Sequence, residues 1–446
     1  MAIGSTSRLS VAYMPEATFG ITPVSGSTYA LRVTNSSLDY AVMKTMSAEI
    51  NAYRSVSSMI PVSAKSQGSL DGEMQYAEYD RLIASVLQNP ASAYGTNGVG
   101  TTFTAAFTAT TITASVAPTG SSAFTTLKRG QWFNVLAPSD ANNTTLLRVS
   151  KTVAPTSTVI TLDANTPAVV SASVANTLVR TTRMTNGTTQ TSFSVEVVAN
   201  DLGVYHLLKG MTPSKMSLGL KQGSLTSVKF DFMGASAVRG TSTALPSVPT
   251  ASNTYDVHNS SGGAQCVMYE NGAPVATIAN LDLSYDNALR DQTALCSLYP
   301  VGIGNGNIVC ELSADIYFSN GTLYDRFLAN TNTEFMFSSI DASGNGYVVT
   351  LPNANIKSHT IPSGSKDADL VAKVVFTALR DAGNADATLR SLFLLTAWVL
   401  QCCRNSCFGL MRPDSGREKS RPVFLFECTI RVLINNRSSN GYQSFQ

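Results

Sequence analysis

GNIVCELSADIYFSNGTLYDRFLAN, residues 306–330, holds a strand and a helix in one line. Ile308, Cys310, Leu312, Ala314, Ile316 and Phe318 alternate with Glu311, Ser313 and Asp315. A period of two with one apolar face predicts a half-buried antiparallel strand. The period then changes, and Leu323, Phe327 and Leu328 take helical spacing. The same order occurs far upstream in GSLDGEMQYAEYDRLIAS, residues 68–85. There Leu70, Met74 and Tyr76 line a strand face, and Tyr79, Leu82, Ile83, Val86 and Leu87 form the helical stripe. YDRLIAS (79–85) and YDRFLAN (324–330) share Tyr, Asp, Arg and Ala at matching places.

Working outward, other pieces pair in the same order. SSLDY (36–40) faces ANLDLSY (279–285), and SMIPV (58–62) faces SLYPV (297–301). SFSVEVVAND (192–201) faces EFMFSSIDAS (334–343), and SLTSVKFDFMGAS faces LVAKVVFTALRD. The order argues for a tandem duplication of one β unit carrying a short helix. Chance likeness among short amphipathic strands is the rival reading. The fold class is therefore mainly β: two tandem β-sandwich or half-barrel units, each with a short helix, plus a small inserted β domain in the first.

The expected boundaries follow. Residues 1–97 and 186–239 make the first unit, interrupted by a Thr/Ser/Ala/Val-rich insert at 98–185 with strand signals GQWFNVLA, TLLRVSK and STVITLD. Residues 240–263 are a Ser/Thr/Pro-rich linker, and 264–390 form the second unit. Residues 391–446 differ in kind: they hold four of the seven Cys and seven Lys/Arg against three Asp/Glu. They read as an atypical C-terminal extension.

Charged residues are 13% of the chain and the net charge is +2; without residues 391–446 the balance is 24 Lys/Arg to 26 Asp/Glu. That excludes a dedicated nucleic-acid binder, which needs clustered cations against phosphate. A surface poor in charge and rich in Ser, Thr, Asn and Gly suits a protein that hides itself against neighbours. The N-terminal residues lack a continuous apolar core, so no export signal is expected, and no run is long enough to span a bilayer.

Signs of chemistry are weak throughout. His206, His258 and His359 have no metal-ligand spacing, and CCRNSC (402–407) lacks a second ligand pair. GIGNGN (302–307) precedes a strand rather than a helix, so it reads as a strand-joining turn, not a phosphate loop. DASGNG (341–346) lacks the closing acidic ligand of a calcium loop and reads as a hairpin turn. No GxSxG or Cys/His pair is set for nucleophilic catalysis. No cofactor, metal or enzymatic activity is expected.

Several phrases resemble the tail tube (major tail) proteins of long, non-contractile-tailed bacteriophages. They are EATFGITPV at 16–24, SSLDYAVMKTMSAEINAYRS, GSLDGEMQYAEYDRLIASVL, LKRGQWFNV, KGMTPSKMSLGLKQGSLTSVKFDFMG, LDLSYDNAL, GYVVTLPNANI and AKVVFTALRD. The likeness covers about residues 10–390 and lies in the order of the pieces.

The resemblance implies a virion structural protein, made in the host bacterial cytoplasm, that self-assembles into stacked rings. It implies a conduit through which DNA is ejected without stable binding and without a membrane. Six positions per ring and two units per chain imply a trimer, with six chains as the rival. It also implies tape-measure and tail-terminator proteins as partners. Segments between matched strands become candidates for contact between rings: 43–59 with Glu49, Ile50, Tyr53 and Arg54, and 287–298 with Arg290 and Asp291. A solvated loop is the plain alternative for both. A virion decoration protein or a surface-adhesion module is the alternative function.

Overall fold

The computed structural model describes residues 4–53, 55–89, 98–119, 123–127, 129–136, 147–164, 171–180, 182–260, 268–270, 273–275, 277–341, 346–361, 366, 369–380 and 391–395. In chain order the strands begin with β1 (Leu9–Pro15), β2 (Tyr29–Leu31), β3 (Asn35–Ser36), β4 (Asp39–Met46) and β5 (Met59–Glu73), followed by helix α1 (Asp80–Val86). The insert supplies β6 (Gly98–Phe107), β7 (Thr111–Ala114), β8 (Trp132–Leu136), β9 (Leu147–Arg148), β10 (Val159–Thr161) and β11 (Ser171–Arg180). Then come β12 (Thr182–Met184), β13 (Phe193–Ala199), β14 (Val204–Lys221), β15 (Ser227–Met233) and β16 (Ser236–Gly240). The remainder is β17 (Met268–Glu270), β18 (Ala273–Pro274), β19 (Ile278–Asp286), β20 (Arg290–Gln292), β21 (Gly302–Gly304), β22 (Val309–Tyr317), α2 (Thr322–Leu328), β23 (Thr333–Ile340), β24 (Gly346–Thr360), β25 (Val371–Ala378) and β26 (Ser391–Leu395). The protein is thus mainly β, as its alternation predicts.

The principal sheet has a simple rule of pairing. In the first run β4 pairs β5, β5 pairs β15, and β15 pairs β14, all antiparallel. In the second run β19 pairs β22, β22 pairs β25, and β25 pairs β24. The runs are joined by β14 and β19, from Lys215↔Asp286 to Lys221↔Asn280. The long strands β14 and β24 each leave this sheet at one end. The first half of β14 pairs β13 and β16, and that of β24 pairs β23 and β26.

Alternation explains the core. Leu70, Phe230, Leu218, Leu283, Leu312 and Phe376 point to one side of the sheet and are buried. They meet Phe193, Phe335 and the stripe of α1 in one cluster. Each such residue contributes about 1.5–3 kcal/mol by leaving water. The opposite face carries Asp71, Asp231, Asp282, Glu311, Asp315 and Lys229, half-buried or exposed.

The insert forms a separate six-stranded sheet with its own core around Phe107, Phe124, Phe133 and Ile160. It also packs on the second run. Trp132 joins Met336 and Val348, with Tyr269 against it. Arg148 and Lys151 ion-pair with buried Glu334, and Arg148 also lies 3.7 Å from Asp163.

Three local readings change. GIGNGN is not merely a turn: Gly302–Gly304 is strand β21, paired with β20, because side-chain-free residues fit closely against Gln292 and Arg290. Segment 240–263 is not a free tether where it is described. Leu245 is buried, and Glu196 accepts from Thr243 Oγ1 at 2.7 Å and from the Ala244 N–H at 2.8 Å. With Leu70 and Leu312 taken as matched residues, the likeness of SSLDY to ANLDLSY is two residues out of register. Ser36 sits opposite Leu70, while Leu283 sits opposite Leu312. Leu38, not Tyr40, therefore holds the place of Tyr285. Residues 342–345 of DASGNG, expected as a hairpin turn, lie outside the described residues, as does 396–446; β23 and β24 on either side pair antiparallel.

Candidate assembly interface

Strands β4 and β5 run on together past the sheet, from Asp39↔Gln67 to Met46↔Met59. This two-stranded arm exposes apolar side chains on both faces, among them Met43, Met46, Met59, Ile60 and Val62. An isolated ribbon of this kind is marginal in water, and a patch of this sort marks a contact surface. At its tip Ile50 is 99% and Tyr53 87% exposed. The tip is shaped by local bonds: Ser47 Oγ accepts the Glu49 N–H at 3.3 Å, and Asn51 Oδ1 accepts the Tyr53 N–H at 3.1 Å. Arg54 lies outside the described residues.

A shorter arm, β20 with β21, occupies the matching place in the second run. Arg290 Nη1 donates to the Asn305 carbonyl at 2.7 Å, which ties the arm to its own base. Asp291 instead reaches the first arm, where Lys65 Nζ lies 2.9 Å from its Oδ2. The Ala64 N–H donates to Leu298 O at 2.9 Å, and the rings of Tyr40 and Tyr299 lie 6.4 Å apart. Burial and the neighbouring Tyr299 push the Tyr40 hydroxyl up to about 12. The structure therefore brings Asp291 to the root of the long arm, holds Arg290 on its own arm, and leaves Glu49, Ile50 and Tyr53 at the tip of the long one. Lys65 and Leu298 were not picked out by sequence. The SMIPV/SLYPV match was the one signal near them.

The two helices sit at unlike surfaces. The second run closes over α1. Tyr347 Oη donates to Asp80 Oδ1 at 2.6 Å and accepts the Ala77 N–H at 3.0 Å. Asn287 Nδ2 donates to Val86 O at 2.7 Å, and Gln88 Nε2 donates to Asn305 Oδ1 at 2.8 Å. Burial raises the Asp80 carboxyl to about 6, against the lowering effects of the Tyr347 hydrogen bond and Arg81. Close by, His258 is buried with Nδ1 3.1 Å from Ser339 Oγ, and burial lowers it to about 4. Helix α2 has no fully buried residue, and Leu328 is 64% exposed.

Among the described residues no group of three or more His, Cys, Asp or Glu is placed to hold a metal, and no helix is long and apolar enough to cross a membrane. What the described surface offers is an exposed apolar arm and a shorter arm beside its root. The family model described as phage tail tube protein matches residues 4–378. No curated protein matches the chain.

Proposed function

The chain belongs to the phage tail tube protein family, and from that premise we propose that it builds the tube as stacked rings of three copies, each supplying two of six positions around a lumen that conducts DNA. One observation carries the reading: the pairing order β4–β5–β15–β14 recurs as β19–β22–β25–β24, and the runs join through β14 and β19. The two runs are best understood as repeats of one unit, as the sequence pairs suggest. A sheet built by repeating one joint has an edge at each end, and closing it into a ring removes both edges.

The face away from the core would line the lumen. Two of its lysines lie beside carboxylates: Lys229 lies 3.8 Å from both Asp71 and Asp231, and Lys357 lies 2.6 Å from Glu311. A lining without free cationic clusters gives DNA phosphates little to hold. The tip of the long arm, with Glu49, Ile50, Tyr53 and Arg54, would meet the next ring. Arg290 and Asp291 would support the arm's root. The inserted sheet would stay outside the lumen, anchored through Trp132 and Arg148. Tape-measure and terminator proteins would be met inside the growing tube and at its ends, with assembly in the host cytoplasm.

End-on electron microscopy with mass measurement of the rings tests this. The expected result is six lobes and the mass of three chains. Rings with the mass of six chains, or monomers alone after seeding with tail initiators, would overturn it. In the same assay Ile50→Asp should leave single rings but prevent stacking.

A further inference from the structure

Strand β14 has neighbours on both sides along its second half, β15 and β19. Strand β24 does not: its second half pairs β25, and among the described residues no strand lies on the other side. At the opposite end of the sheet, β3 and β4 pair β5, and again no described strand covers their outer edge. Helix α2 stands beside the open edge of β24. His359 on that edge packs against Tyr324 and Phe327 of the helix, with ring centroids 5.4 and 6.5 Å away. A cleft lined by Phe318, Leu323 and His359 opens there, where α1 has a filled core.

We propose that this edge and α2 together are the docking site for residues 35–39 of a second copy, in the register of the internal β14–β19 joint. The proposal rests on the ring reading above and adds to it the strand, the direction and the register. The register follows from shared partners. Met216 faces Phe230 and Ile356 faces Phe376, while Phe230 faces Leu70 and Phe376 faces Leu312. Residues 215–219 of β14 therefore correspond to Asn355, Ile356, Ser358, His359 and Thr360, with Lys357 as the extra residue at a bulge. By the same route, through Leu70 and Leu312, residues 282–286 of β19 correspond to 35–39. The internal pair Met216↔Tyr285 becomes Ile356↔Leu38 between copies, and Ser217↔Ser284 becomes Ser358↔Ser37. Leu38 of the incoming copy then stands beside Ile356, and Tyr40 takes the position of Asn287, which in the internal joint reaches the end of α1. The incoming strand covers α2 as the second run covers α1.

The test is disulfide capture in the full chain with Ser37→Cys and Ser358→Cys together. Directly opposed residues in an antiparallel pair lie about 4.5–5.5 Å apart at Cα, inside the disulfide range, and a two-residue offset does not. Mild oxidation of assembled protein should give a non-reducing ladder ending at the number of chains per ring. Ser37→Cys with Thr360→Cys, and each single variant, should stay at background. Electron microscopy of the same samples separates the two claims. Rings that crosslink in the Thr360 pairing, or in neither, overturn the register and leave the ring. Absence of rings overturns the reading on which it rests. As a second variant, Leu328→Asp sits on an exposed position that folding does not use. It should leave the circular dichroism spectrum of the unassembled chain unchanged and lower ring yield at least tenfold; unchanged yield would overturn the role of α2.

Discussion

Helices α1 and α2 spell nearly the same phrase and live in different surroundings. Tyr79 is buried with its hydroxyl donating to Arg32 O at 2.6 Å, while Tyr324 is 39% exposed. Arg81 lies over the Tyr29 ring, 4.0 Å from its centroid, whereas Arg326 turns to Glu270 and Thr333. Ile83 is fully buried and its counterpart Leu328 is not. The seven-residue helices do not differ enough in propensity to explain this. The neighbours do. α1 stands at a joint made within the chain, and on the proposed reading α2 stands at the same joint made between copies. An apolar stripe kept in kind at two places, but covered at one alone, is what the proposal assigns to a second copy.

The largest expected difference between the helices comes from truncating the matched apolar residues. Ile83→Ala should destabilise the unassembled chain by about 2–5 kcal/mol through lost burial and a cavity. Leu328→Ala should change it by no more than about 0.5 kcal/mol. Urea unfolding of both variants reads the difference, and equal losses would mean that α2 is already packed.

Acidity sharpens the joint over α1. Asp80 is raised from 3.8 to about 6, so its contribution to stability is present below pH 3.8 and is lost as pH rises through 6. His258 is lowered from 6.5 to about 4, so its contribution is present above pH 6.5 and is lost as pH falls through 4. The two oppose each other across one window. Asp80→Asn should leave His258 alone and make stability fall between pH 6.5 and 4, by on the order of 3 kcal/mol. His258→Asn should make stability rise toward pH 4 instead. Parallel profiles for the two variants would show that burial at this joint is not what shifts these groups.

The smallest effect is a single hydrogen bond. Tyr79→Phe should cost about 0.5–1.5 kcal/mol, because the part-buried bond from the Tyr79 hydroxyl to the Arg32 carbonyl is lost. Tyr324→Phe should cost the unassembled chain nothing measurable. Thermal melts of the pair would show whether the shared Tyr does the same work twice.

Much of this fold is legible in the sequence because alternation and burial share a cause. Cys310, Leu312, Ala314 and Ile316 were chosen by spacing, and they are buried in β22 while Ser313 is exposed. The YDR phrases fall on helices in both runs. Register was not legible. A slip of two residues keeps every side chain on its own face, so LDY could be laid on LSY when the sheet places Leu38 at the position of Tyr285. Burial of the Ser/Thr/Pro-rich segment was hidden as well, since Thr243 and Ala244, beside buried Leu245, are held by Glu196, and His258 lies against Ser339, both remote in sequence. At the candidate interface, Ile50 and Tyr53, named for lying between matched strands, stand exposed at the tip of the arm. Nothing local announced that Asp291 would meet Lys65 across the two arms.

On the proposed reading, α2 awaits the contact that α1 already has. Hydrogen exchange of the full chain, compared before and after assembly, asks this directly. Residues 355–360 and the amides of α2 should exchange faster than those of α1 in the free chain and slow to the rate of α1 in the rings. Exchange at α2 and 355–360 that stays fast in assembled rings, while the arm 43–62 becomes protected, would contradict the account and assign assembly to the arms alone.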